Sequence, residues 1–157
     1  MLTYKRFVSF SISLGFVLVI GAINALFMTP RSEWFANLVI PALNEKIHSF
    51  LWLAVYILYA VVTAEFLIDK TLRSYIWSLF LLAVGNPVWC LVFFRLHSII
   101  GALCLSVLLL SDSIFVTVIN AKKTKINWLF CLLISVWYLY IAGLNAAILI
   151  LNLKTLL

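Results

Sequence analysis

The chain has 157 residues, of which 66% are hydrophobic and 10% charged, with a formal net charge of +6. A soluble domain carries about 25% charged residues, so there is too little polar surface here to cover a water-soluble globule, and the surrounding solvent must be lipid. The positive balance does not point to nucleic acid, because the basic residues sit in short gaps between apolar runs, where they anchor helix ends against anionic headgroups.

A helix needs about 20 apolar residues to cross the hydrocarbon core. Five stretches meet this, at 7–28, 49–68, 74–94, 99–119 and 127–151. They are too long for membrane β-strands and lack the two-residue alternation of a barrel. The expected fold class is therefore all-α, a bundle of five transmembrane helices forming one domain over 1–157, with a short helix in the first loop.

The first stretch follows Lys5 and Arg6 and has the charge pattern of a signal peptide. Its apolar run is longer than a usual signal core and four more spans follow, so it reads as a retained helix. The first loop, 29–48, is the only long one. Thr29 is placed to cap a helix with Pro30 at its first position. Trp34, Leu38 and Pro41 then share one side at helical spacing, and Phe35, Val39 and Ile40 make the segment too apolar for a disordered linker.

Polar residues deep in the later spans carry information. Asn86 lies in the third, Asp112 in the fourth and Asn145 in the fifth. A polar side chain facing lipid is costly, so each should face a neighbouring helix or a cavity. For both asparagines, hydrogen bonding between helices is the simpler expectation. Asp112 lies between Ser111 and Ser113, and its cost is lowered if it is protonated or bonded to either hydroxyl; a proton relay would need a second deep acid or histidine, and none is found. Cys90, Cys104 and Cys131 all fall inside apolar runs without metal-ligand or redox spacing, and read as small buried hydrophobes.

The basic residues set the orientation. Lys5, Arg6, Lys70, Arg73, Lys122, Lys123 and Lys125 share one side, against Arg31, Lys46, Arg95 and Lys154 on the other. This bias puts the N-terminus in the cytoplasm and the C-terminus outside. Aromatics gather towards the outer face: Trp34, Phe35, Phe50, Trp52, Trp89, Phe93, Phe94, Trp137, Tyr138 and Tyr140. They read as an interfacial belt or, with Arg31, Lys46, Arg95 and His48 or His97 as a basic rim, as the walls of a site for a flat, apolar, anionic ligand.

Ordered motifs along the whole chain sharpen this. Trp34-Phe35-Ala36-Asn37-Leu38-Val39-Ile40-Pro41 lies in the first loop, and Trp52 with Tyr56 in the second helix. Asn86-Pro87-Val88-Trp89-Cys90-Leu91-Val92-Phe93-Phe94 ends the third helix, and Trp137 leads to Ile141-Ala142-Gly143-Leu144-Asn145 in the fifth. With these the chain resembles the TspO/MBR family of tryptophan-rich sensory proteins and the mitochondrial translocator protein. It departs from the family pattern where a W-x-P-P-x-W segment is expected, since Leu43, Glu45, Lys46 and His48 stand there. Ile40 replaces the lysine before Pro41, Leu133 replaces a proline, and Pro87 is an added helix-bending residue.

The resemblance implies a five-helix bundle, expected to be a homodimer, with a pocket under the first loop. It implies a receptor or transporter-like protein that binds porphyrin or haem, with no cofactor required, no nucleic acid and the bilayer as the other partner. A sterol or lipid ligand is the alternative, but the family's cholesterol motif is missing, because after Tyr138 and Tyr140 the next basic residue is Lys154. Porphyrin degradation is a third reading; with no nucleophile–base pair, metal cluster or nucleotide loop, catalysis is not expected. The positions carried over as pocket walls or polar anchors are Trp34, Leu38, Asn86, Trp89, Phe93, Trp137, Ala142 and Asn145. His48 stands near the missing tryptophan, either as an axial haem ligand or as an interfacial residue bonded to the first loop. Arg31 and Arg95 complete the rim. A bacterial inner membrane is the expected location. Reporter fusions test the topology: one after Lys123 should read as cytoplasmic and one after residue 157 as periplasmic, and the reverse pattern would invert the orientation.

Overall fold

The structure is a computed structural model that describes residues 2–28, 32–41, 45–121 and 125–156. Five long helices carry the fold: α1 (Leu2–Phe27), α3 (Glu45–Ile68), α4 (Ile76–Cys90), α5 (Ile99–Ala121) and α6 (Lys125–Leu156). A single-turn helix, α2 (Glu33–Ala36), lies in the first loop, and a short 3-10 turn, Arg73–Tyr75, leads into α4. Five helical segments are apolar and long enough to cross a membrane, as expected, α4 doing so together with its flanking turns over Arg73–Arg95, and no strand occurs among the described residues. The spans extend a few residues beyond the sequence-based ends because their interfacial residues continue the helix. The short helix is capped by Ser32, whose Oγ accepts from Phe35 N at 3.3 Å. The expected capping pair, Thr29 and Pro30, lies outside the described residues.

The helices pack as a closed ring in the order α1–α3–α6–α5–α4 and back to α1. Lipid replaces water as solvent, so the outward faces are apolar: Trp77, Leu26 and Ile150 are all exposed. Burial therefore says less about hydrophobicity here than about which polar groups are hidden.

The most extensive contact, α5 against α6, is organised by a repeat of seven. On α5 the buried positions Ile99, Ala102, Ser106, Leu109, Ser113, Val116 and Asn120 are spaced alternately by three and four, with Thr117 buried beside them. On α6 the corresponding positions are Asn127, Cys131, Ile134, Tyr138, Ile141, Asn145, Ile148 and Asn152, with Ser135, Trp137 and Ala142 also buried. This is the seam of an antiparallel coiled coil, built with small and polar residues that let two helices approach closely in lipid. The hydroxyls of Thr117 and Ser135 meet across it at 2.9 Å.

A second polar knot ties α3, α4 and α6 together. Tyr138 Oη donates to Leu82 O at 3.0 Å. Its only proton is thereby used, so its oxygen accepts from Tyr59 Oη and from Asn86 Nδ2, the latter at 3.1 Å. Asn86 also donates to Leu82 O at 3.1 Å. The interhelical role expected of Asn86 is thus found, whereas Tyr138, grouped with the outer aromatics from sequence, belongs to the bundle core with Tyr59. The backbone of α4 is relaxed here because Pro87 lacks an N–H for the Ala83 carbonyl and its ring crowds that oxygen.

Of the two readings of Asp112, the bond to its flanking serines is not the one found. The hydroxyls of Ser111 and Ser113 donate to Val107 O and Leu110 O of their own helix, as serine commonly does inside a helix, leaving nothing for the carboxylate. Its bonded neighbour is Ser78 of α4, and its Oδ2 is buried without a partner.

The knot makes a stability prediction. Tyr138→Phe removes one donor and the shared acceptor while leaving the ring, and should cost about 1–3 kcal/mol, the scale of unpaired buried groups. Thermal melting in detergent measures it, and Tyr59→Phe, which removes a single peripheral bond, should cost less.

Candidate functional site

Four segments converge near the end of the bundle covered by the first loop. From α3, His48, Trp52 and Tyr56 are four residues apart and so stack along one face. From α6 come Trp137 and Tyr140, three apart. From α4 and the turn after it come Trp89, Phe93 and Phe94. From the loop come Trp34, Phe35 and Leu38.

The third-helix motif does not end as a regular helix. After Cys90 the backbone widens into a π turn, Leu91–Arg95, with Leu96 N bonded to Leu91 O at 3.0 Å. One extra residue per turn rotates Phe93 and Phe94 inward, where both are buried. The chain then reverses at His97, whose φ of 53° lies in the left-handed region. Trp34 covers this bend, its ring parallel to the His97 ring at 4.6 Å.

The aromatics form two groups rather than one continuous belt. Beneath the loop, Trp34 meets Phe93 edge-on at 5.4 Å, and Phe93 stacks on Trp89 at 5.2 Å and 7°. Phe35 packs on Phe94 at 5.4 Å, and Leu38 joins the same cluster. Between α3 and α6, Trp52 meets Trp137 edge-on at 5.1 Å, and Trp137 meets Tyr140 at 5.4 Å. Trp89 belongs to the first group and also packs against the bundle core, of which Trp137 is a member. Phe50, expected in the cluster, points outward and is exposed.

His48 is tied into the second group. Trp52 Nε1–H donates to His48 Nε2 at 3.0 Å, and His48 Nδ1 lies 3.3 Å from Tyr140 Oη. The anticipated bond to the first loop is therefore replaced by bonds to α6 and to its own helix, because its position on α3 faces Trp137 rather than the loop. Axial ligation of haem through Nε2 would first require the Trp52 bond to break.

The loop is fastened to α6. Asn152 Oδ1 accepts from Val39 N and its Nδ2 donates to Val39 O, both at 2.9 Å. One amide thus mimics a paired backbone strand. The 32 residues of α6 span about 48 Å at the helical rise, well beyond the hydrocarbon core of about 30 Å, so Asn152 stands high enough to reach the loop. Sequence reasoning missed Asn152; its signal is the sevenfold spacing from Tyr138 through Asn145.

Of the expected rim, Arg95 is exposed and its Nη2 donates to Leu26 O of α1 at 3.2 Å, which caps that helix end. Arg31 and Lys46 lie outside the residues whose side chains are described. Ala142 is buried against the bundle. Among the described residues, seven buried side chains keep a polar atom without a partner: Ser13, Asn24, Trp89, Asp112, Asn120, Trp137 and Asn145. Three of them, the indole N–H groups of Trp89 and Trp137 and Oδ1 of Asn145, belong to the positions expected in the pocket. Each unpaired buried group costs about 1–3 kcal/mol.

The match to the TspO/MBR family covers residues 13–151, nearly the whole chain. The chain belongs to the TspO/MBR family. Membership makes it an integral membrane protein of receptor or transporter type. Comparison with curated proteins finds no individual match.

The Asn152 clasp is testable. Asn152→Leu leaves both polar groups of Val39 unpaired. Hydrogen exchange at Val39 and proteolysis of the first loop should rise by about tenfold or more, the equivalent of losing about 1.4 kcal/mol, while the helical content stays the same. Unchanged exchange would assign the loop's attachment to Trp34 and Phe35 alone.

Proposed function

We propose that the protein binds a flat, anionic tetrapyrrole, a porphyrin or haem, beneath the first loop, and acts as a receptor or carrier for it. The observation that carries this reading is Trp89. It stacks on Phe93 among the loop-side aromatics and also packs against the bundle core, which includes Trp137, and it and Trp137 keep buried N–H donors unpaired. Parallel and edge-on ring pairs at about 5 Å form the surfaces on which a planar conjugated ligand gains most. Acceptor atoms on that ligand would satisfy the two indole donors.

Loop opening gives access. Among the described residues the first loop is held by one amide clasp, by the ring contacts of Trp34 and Phe35 and by the packing of Leu38 and Ile40, all of which can be released without breaking the helices. Recognition rests on ring stacking rather than on iron, since the Nε2 lone pair of His48 is used by Trp52. Metal-free protoporphyrin and haem should therefore bind with similar strength.

Titration of the purified protein with protoporphyrin IX, read by tryptophan quenching, tests the proposal. Trp137→Ala should weaken binding by roughly 1–3 kcal/mol, the scale of a lost aromatic anchor. Trp77→Ala, at an exposed lipid-facing position, should leave it unchanged. Equal effects of the two substitutions, or a folded Trp137→Ala protein with full affinity, would remove the site from this part of the bundle.

A further inference from the structure

The bonds around His48 exist in one protonation state only. Trp52 Nε1–H is a donor with no acceptor capacity, so His48 Nε2, 3.0 Å away, must present its lone pair. The ring proton then sits on Nδ1, which donates to Tyr140 Oη. An imidazolium carries N–H on both nitrogens, and its Nε2–H would be driven against the Trp52 N–H. The arrangement cannot persist in the cation.

We infer that His48 is a proton-operated latch on the aromatic wall, which holds Trp52 against Trp137 when neutral and releases Trp52 when protonated. The inference rests on the proposed tetrapyrrole reading only for its consequence on binding. The mechanical coupling is direct: His48 contacts Trp52, Trp137 and Tyr140, and Trp52 contacts Trp137 and Tyr56. Tyr56 in turn accepts from Asn24 Nδ2 of α1 at 2.8 Å, so freeing Trp52 loosens a row that crosses from α6 to α1. The released wall includes Trp137, a proposed ligand surface.

The groups facing the imidazole are Trp52 on its own helix and Trp137 and Tyr140 on α6. Of these only Tyr140 titrates, ordinarily near pH 10 and so outside the range where an imidazole, ordinarily near 6.5, changes charge. The ionisable residues nearest in the chain are Glu45 and Lys46, whose side chains lie outside the described residues. The sign follows from the bond: the closed wall belongs to the neutral ring and is lost as pH falls. A tetrapyrrole would thus be held at neutral pH and released towards the acid side of a membrane.

The test separates the latch from the ligand. In ligand-free protein labelled at the indole nitrogens and held in nanodiscs, the Trp52 N–H resonance should move between about pH 8 and pH 5, the range of histidine titration. In His48→Gln, whose side-chain oxygen offers an acceptor that does not titrate, the resonance should stay fixed. In His48→Phe it should sit at the acid position at every pH. Protoporphyrin affinity in the wild type should fall by about tenfold across the same range relative to the change in His48→Gln, a difference of about 1.4 kcal/mol. A resonance that does not move, or moves equally in His48→Gln, overturns the latch. If the resonance titrates through His48 while protoporphyrin binds at neither pH, the latch stands and the proposed ligand fails. If His48→Phe does not fold, the His48→Gln comparison decides alone.

Discussion

Inside a bilayer no water is present to pair a polar group, so each one must find its partner within the protein. Four asparagines of this chain answer that constraint in one repeated way. Asn86, Asn120, Asn145 and Asn152 each donate Nδ2 to the carbonyl four residues earlier in their own helix. One N–H is used at home; at Asn86 and Asn152 the other reaches a neighbour, Tyr138 Oη and Val39 O, and each asparagine still has its side-chain oxygen to offer. At Asn152 that oxygen holds the first loop. At Asn120 and Asn145 it is buried and unpaired. The same side chain on the same seam thus serves as a fastener at one end of α6 and as an unsatisfied acceptor lower down.

Core and site are coupled because they share helices at adjacent positions. Tyr138 points into the knot with Asn86 and Tyr59, and Trp137, the next residue, points to Trp52. On α4, Asn86 lies in the knot and Trp89, three residues on, lies between the loop-side aromatics and the bundle core. The knot therefore sets the rotation of α4 and α6, and that rotation decides where Trp89 and Trp137 stand. Above it the backbone is looser. Pro87, the π turn and the left-handed His97 together let the end of the third span bend beneath the loop without disturbing the bonds below.

The loop side is held by fewer and more reversible interactions than the seam. Trp34 lies on the exposed His97 ring, Phe35 on Phe93 and Phe94, and Val39 on Asn152. The central knot takes no part in these contacts, and the α5–α6 seam shares with them only its end nearest the loop, at Asn152, Ile148, Ile99 and Ala102. A bundle built in this way can open at one end while its ring of helices stays closed, which is what a binding protein for a large planar molecule in lipid requires.

Much of this was legible from residue order. Five spans, the apolar short helix of the first loop and the interhelical role of Asn86 follow from hydropathy and from the cost of burying an amide. The family motifs also marked Trp89, Trp137 and Asn145, three positions where polar atoms lie buried and unpaired. The sevenfold polar spacing on α5 and α6 was equally present in the residue order but is masked by the uniform hydrophobicity of a membrane chain, where apolar residues face outward as well as inward. Which partner each polar group takes was decided only by the tertiary structure. Ser78 rather than Ser111 or Ser113 bonds Asp112, Tyr138 turns to the core rather than the rim, and His48 binds Trp52 and Tyr140 rather than the loop. Local spacing places a side chain on a helix face, but hydrogen bonds reach only about 3 Å, and which atoms come that close depends on how the helices are rotated against one another.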